Sequence, residues 1–201
     1  MENNKLPIYY ASIDDNAKGI ELKEQGVQNI ALVDSPAMLT EWLMFEEHKK
    51  QSLKFALNEE QRIITAPVII ADLPIYRKDE FGKEFYVVYK KPVIMQMAQK
   101  YGSENRNRLI KLTHDTEQMA KDVFVFESFV SDESRGIAQP KGFNLPDGTW
   151  FVSMKINNND IWNMAKQGKI NGISLEGFFD LEVDTNLTDS EVQSIIESVI
   201  S

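Results

Sequence analysis

The residues best suited to chemistry in this 201-residue chain are a serine and a histidine far apart in sequence. Ser174 sits in Lys169-Ile170-Asn171-Gly172-Ile173-Ser174-Leu175-Glu176-Gly177-Phe178-Phe179, where Ile170, Ile173, Leu175, Phe178 and Phe179 favour a strand. Glycines at 172 and 177 flank the serine, and glycine inside a strand pattern marks a bulge or the close approach of another backbone. A serine in that setting is either a packed small polar group or an exposed nucleophile. As a nucleophile it needs a base, and His114 is the better placed of the two histidines, the other being His48. Its default alternative is an ordinary surface histidine.

Serine hydrolysis also needs a group that orients the imidazole and donors for the oxyanion. Three residues compete for the orienting role. Asn29 lies in the apolar run Val27–Val33. Asp115 follows the histidine directly. Glu127 is embedded in Val-Phe-Val-Phe-Glu-Ser-Phe-Val, where alternation puts it on the face of Val125 and Phe129. A carboxylate there either orients a base or is an edge charge that deters strand pairing. The oxyanion donors are unassigned.

The elements that must hold these residues read mainly as strands. Val27–Val33 ends in the turn residues Asp34-Ser35-Pro36. Leu53–Leu57 alternates, and Arg62–Ala71 reads as a central strand with a bulge or edge position at Pro67. Leu73–Gly82 reads as a polar connection whose Asp79–Gly82 turn leads into Phe85–Tyr89. Pro92 opens a helix that stops near Gly102, with Val93, Met97 and Tyr101 on one face. Asp122–Asp132 and Trp150–Ile156 are strands joined by a long surface loop, and Asn158 or Asn159 caps a short helix ending at Gly168. Trp42–Phe45 is strand or helix start, and Glu46–Gln51 is a solvated charge run.

From Asp180 onward there are six acids and no lysine or arginine, and Thr188-Asp189-Ser190-Glu191 is a capping box for a helix towards Ile200. The reading is one domain over 1–180, with 181–201 an acidic helix or tail. The net charge of −9 argues against nucleic acid as a partner. The chain has no cysteine, which excludes disulfides and a thiol nucleophile; two isolated histidines make a zinc site improbable, and no cofactor is expected. No apolar run suits a membrane span, and the polar N-terminus is no signal peptide, so a cytosolic origin is expected.

Three pieces, in order, carry a resemblance. They are His114-Asp115, then Val125–Asp132, then Gly148-Thr149-Trp150 through Trp162 and Gly168 to Gly172-Ile173-Ser174-Leu175-Glu176-Gly177-Phe178. Together they resemble the XkdF-type phage prohead serine proteases, over roughly residues 60–180. The wider group includes the herpesvirus assemblins. The resemblance implies a mainly β fold with peripheral helices, as a bent antiparallel sheet or a β-barrel. It implies Ser174 as nucleophile and His114 as general base. In the wider group a third-motif strand follows the serine. Here its likeness is Asn29-Ile30-Ala31-Leu32-Val33-Asp34-Ser35-Pro36-Ala37, ahead of the other two motifs, so residues 27–37 suggest a circularly permuted arrangement with Asn29 or Glu127 as third member.

The implied function is a prohead maturation endopeptidase that cleaves the internal scaffold and itself, in the host cytoplasm inside the procapsid. Its partners would be scaffold and major capsid proteins, with self-association, and the acidic 181–201 segment would link to, or be a remnant of, a scaffold-like segment. The alternatives are a catalytically inactive structural protein inside the capsid and a general cytosolic hydrolase.

Overall fold

The computed structural model describes residues 6–13, 25–34, 56–58, 61–79, 81–112, 119–187 and 189–200. The sequence readings at Trp42–Phe45, Glu46–Gln51 and Leu53–Phe55 lie outside these residues. The described residues build three sheets. The first has the order β11(Asp180–Leu187)-β1(Leu6–Ser12)-β6(Glu84–Val88)-β5(Ile75–Lys78). The second is β10(Gly172–Phe178)-β2(Gly26–Val33)-β7(Ile110–Leu112), and the third is β3(Ala56–Asn58)-β4(Ile63–Ile69)-β9(Trp150–Ile156)-β8(Val123–Val130). The fold is mainly β, as expected. The barrel alternative is corrected: among the described residues there is no closed barrel, and each sheet stays open and ends in edge strands. Most pairings are antiparallel, but β1 runs parallel to β6 and β2 parallel to β7.

Helix α1 (Lys91–Ser103) begins with proline in its first turn and buries Ile94, Met97 and Tyr101. These side chains join the main core, which also takes Ile30, Leu32, Ile110 and Ile173 from the second sheet and Ile64, Val68, Trp150, Val152 and Met154 from the third. Their removal from water is the main stabilising term of the fold. Strand β9 is apolar almost throughout because it is buried on both faces. Its Trp150, Val152 and Met154 enter the main core, while Phe151 joins a second cluster with Ile8, Tyr86 and Val88. Helix α3 (Asp189–Ile200) closes that second cluster with Val192 and Ile196. Helix α2 (Asn159–Lys166) is capped by the Asn158 side chain, which accepts from the backbone N–H of Asp160 at 3.0 Å and of Ile161 at 3.1 Å.

Two stretches differ from the sequence reading. The presumed polar connection 73–82 contains β5, which pairs with β6 from Ile75↔Val87 to Lys78↔Glu84. The Asp79 carboxylate accepts from the N–H groups of Phe81 and Lys83, both at 2.9 Å, and so holds the hairpin turn. The acidic segment after Asp180 starts with β11, paired with β1 from Ser12↔Asp180 to Leu6↔Leu187. At Pro67 the expected irregularity is present, as a register shift between Pro67 and Ile69.

The loop from Ser131 to Thr149 is pinned to the start of α1. Lys91 Nζ lies 3.0 Å from Asp132 Oδ1 and 2.5 Å from Asp147 Oδ2. Gly148 has φ +94°, and a Cβ there would fall 2.6 Å from Lys91 Cβ, so this close approach needs glycine.

Candidate active site

Ser174 lies in the middle of β10, opposite Ala31 of β2, and Ala31 in turn lies opposite Lys111 of β7. The three therefore form one cross-strand row. The next row on the same face pairs Glu176 with Asn29. The opposite face of this sheet carries Ile173, Ile30, Leu32 and Ile110, all in the main core. One face of the sheet is thus apolar and inward, while the other gathers a serine, a glutamate, an asparagine and a lysine around a buried alanine. Ser174 is 6% exposed, and among the described residues its hydroxyl has no hydrogen-bond partner.

Several contacts fix β10 against β2. Asn171 N–H donates to Val33 O at 2.8 Å, and its side-chain amide donates to Asp34 O at 3.3 Å. At the other end the register shifts between Glu176 and Gly177. A Cβ on Gly177 would come 2.4 Å from the backbone oxygen of Gly26, so the strands meet there only because residue 177 is glycine. Both readings of this glycine, bulge and close approach, hold at once. The extra residue of β2 at that bulge is Gln28, and Arg106 grips it by donating to Gln28 O at 3.1 Å and to its side-chain oxygen at 2.7 Å. Lys100 of α1 donates to Gln25 O. Asn29 is therefore set beside Ser174 by a strand clamped from α1 and the 3-10 turn at Arg106–Arg108.

The side chains on the polar face interlock. Lys111 Nζ lies 2.9 Å from Glu176 Oε2, with the two side chains 11% and 26% exposed. Since these residues stand on the outer strands, the lysine stem must cross β2, and the methyl of Ala31 leaves room for it. Asn29 Nδ2 donates to the same Glu176 oxygen at 3.4 Å, a long bond. Removing one partner of such a shielded ion pair leaves an uncompensated charge, at a cost of about 3–5 kcal/mol when burial is complete.

The residues expected from sequence fall unevenly. Ser174 and Asn29 come together on one face. His114 and Asp115 lie outside the described residues, as do Ser35, Pro36 and Ala37; the chain leaves β7 at Leu112, two residues before His114. Glu127 stands elsewhere, on β8 of the third sheet, opposite Ser153. It does not share the buried face of Val125, because the register shifts between Val125 and Glu127 and turns the carboxylate to solvent. There it lines a groove of about 630 Å³ with Phe126, Thr65, Ser153, Gln139 and Pro140, and Ser174 is not part of that groove.

Lys111 and Glu176 were not singled out from sequence. A signal for Glu176 existed, since residues two apart in a strand share a face, and Glu176 follows Ser174 by two. Among the described residues no group of three or more histidine, cysteine, aspartate or glutamate side chains could hold a metal ion, and no helix is long and apolar enough to cross a membrane.

A mainly β chain that sets a serine on the polar face of a packed sheet has the architecture on which a serine hydrolase can be built. Residues 55–182, well over half of the chain, match the family described as "Putative phage serine protease XkdF", and the chain belongs to that family. The matched region holds His114, Glu127 and Ser174, whereas β1 and β2, and with them Asn29, lie outside it. No curated protein and no solved structure gave a match.

Proposed function

We propose that this chain is the serine endopeptidase of phage prohead maturation, with Ser174 as nucleophile and His114 as general base. The observation that carries the reading is the Ser174 row. The hydroxyl stands on the polar face of a sheet whose other face is locked into the core, without a partner among the described residues. Strand β7, two strands away, ends two residues before His114. In the reaction His114 takes the proton of Ser174 Oγ as the oxygen attacks the scissile carbonyl. It then returns that proton to the leaving amine, and water releases the acyl group by the same route. Asn29 belongs to the site through the strand that supplies it, the counterpart of a third motif moved ahead of the other two.

The substrates would be the internal scaffold and the protease's own chain, in contact with the major capsid protein inside the procapsid. Co-expression with the neighbouring scaffold and capsid genes, read by mass spectrometry, should give scaffold fragments that disappear in Ser174→Ala. Scaffold processed at an unchanged rate by that variant would overturn the assignment. One observation favours a second reading, a protease fold kept as a structural protein inside the capsid: the serine is only 6% exposed. A serine-directed fluorophosphonate separates the two, since it labels Ser174 of an active protease and leaves a structural protein unlabelled.

A further inference from the structure

We infer that the protein associates head to tail with further copies of itself, the Phe81 hairpin tip of one copy seating in the Glu127 groove of the next. The inference goes beyond the protease reading and does not depend on it.

The projecting part is the turn between β5 and β6. Phe81 is 88% exposed and belongs to neither core cluster. The turn that carries it is braced. The Asp79 carboxylate accepts from the N–H groups of Phe81 and Lys83, the Asp79 N–H donates to Lys83 O at 3.0 Å, and the Gly82 N–H donates to Asp79 O at 3.0 Å. A ring held out on a fixed turn loses little entropy when a partner covers it. Two residues on, Lys83 Nζ donates to the Tyr9 hydroxyl at 2.9 Å. Asp79 is engaged with the turn's own N–H groups, and Glu84 with the Tyr76 hydroxyl at 2.6 Å and Lys78 at 3.6 Å. Among the described residues Lys83 therefore makes no ion pair. The tip offers an apolar ring beside an uncompensated ammonium.

The groove on the third sheet is its complement. Phe126, 46% exposed, lines it with Phe129 and Pro140, and its volume of about 630 Å³ is in the range of sites that receive a ligand. Most of its polar groups are already satisfied. The Thr65 and Ser153 hydroxyls bond each other at 2.9 Å, and the Gln139 amide both donates to and accepts from the Leu145 backbone. What remains is Glu127, exposed and without an ion pair among the described residues. An apolar lining with one uncompensated carboxylate matches a ring with one uncompensated ammonium. A charge that only deterred strand pairing would need no aromatic groove around it. At 88% exposure Phe81 does not fill its own molecule's groove, so the contact joins two copies. Tip and groove are different surfaces, which makes the contact heterologous: each copy can engage two others, in a ring or a growing chain. One anchored ring buries about 150–250 Å², well below a stable interface of about 1,200–2,000 Å², so the contact is a weak one that forms at high local concentration.

Sedimentation velocity on the full chain tests this, in a Ser174→Ala background that prevents self-cleavage. The series runs to about 1 mM, where contacts of millimolar Kd populate. Circular dichroism confirms that each variant is folded. The parent's average mass should rise with concentration. F81A should weaken association about tenfold or more, and E127K, which sets two cations together, by a similar factor. K83E should act in the same direction, and it carries the test of the tip if F81A fails to fold. The charge swap K83E/E127K should recover association. An equimolar mixture of F81A and E127K should form pairs and stop there, because one keeps only the groove and the other only the tip. A parent that stays monomeric throughout the series would overturn the inference. So would undiminished association in folded F81A and E127K, or a mixture that fails to pair.

Discussion

Two polar rows cross this molecule, each with a serine and a glutamate on neighbouring positions, and they are built to opposite ends. In the third sheet Thr65, Ser153 and Glu127 stand opposite one another on β4, β9 and β8. The hydroxyls of Thr65 and Ser153 share a hydrogen bond of 2.9 Å, Ser153 is 2% exposed, and Glu127 has no ion pair among the described residues. In the second sheet the glutamate is held by a lysine and an asparagine, while the serine has no partner among the described residues. A hydroxyl satisfied by another hydroxyl is a packing element. A hydroxyl without such a partner is what the proposed nucleophile requires. The residue types alone do not separate the rows; the partners do.

The largest effect should come from the two serines. Ser174→Ala is expected to lower scaffold cleavage by about 10⁶-fold without unfolding the protein. Ser153→Ala should leave cleavage intact and cost about 1 kcal/mol through the lost bond to Thr65, measured by denaturant unfolding. Cleavage that survives the first change, or is abolished by the second in a folded protein, would reverse the roles of the rows.

Next in size are the glycines that position each region. Gly177→Ala forces a methyl against Gly26 O and should part β10 from β2, lowering stability by about 3 kcal/mol or more together with activity. Gly148→Ala combines positive φ with a clash at Lys91, for a loss of about 1–3 kcal/mol centred on the 131–149 loop. Amide hydrogen exchange should place the first change in the second sheet and the second at the start of α1.

A smaller effect follows from acid. The Ser134 hydroxyl and then the Lys91 ammonium hold the Asp132 carboxyl down at about 2, and Lys91 followed by the Glu133 N–H lowers that of Asp147. Both carboxylates have folded values below the ordinary 3.8, so their contribution is complete above that pH and is lost as the pH falls below it, for Asp132 towards about 2. Limited proteolysis of the 131–149 loop should therefore increase only below about pH 4, and Lys91→Met should flatten that dependence. The smallest effect is expected from Glu127→Gln. Exposed and without an ion pair, Glu127 should shift stability by no more than about 0.5 kcal/mol and leave cleavage within about twofold.

What was legible in the sequence depended on how local its cause was. Val27–Val33, Val123–Val130 and Trp150–Ile156 announce themselves through continuous β-forming residues, and α1 through Pro92 and its apolar face. Irregularities were visible where a special residue marks them, at Pro67 and Gly177. The bulge beside Glu127 carries no such residue, and alternation there gave the wrong face. Strands β5 and β7 are four and three residues long, too short for a period to register, and β11 is masked by its charge. The Lys111–Glu176 pair was hidden for a different reason. It joins residues 65 apart in sequence across an intervening strand, and no local pattern encodes that.

The middle strand of the Ser174 sheet has a kinetic consequence. Strand β2 is made early, but its partners β7 and β10 arrive some 80 and 145 residues later. Closing such long loops is entropically costly, and pairings this distant form late in folding. The sheet around Ser174 is incomplete until the ribosome has passed Phe178, so its polar face cannot assemble while the chain up to β10 is still being made.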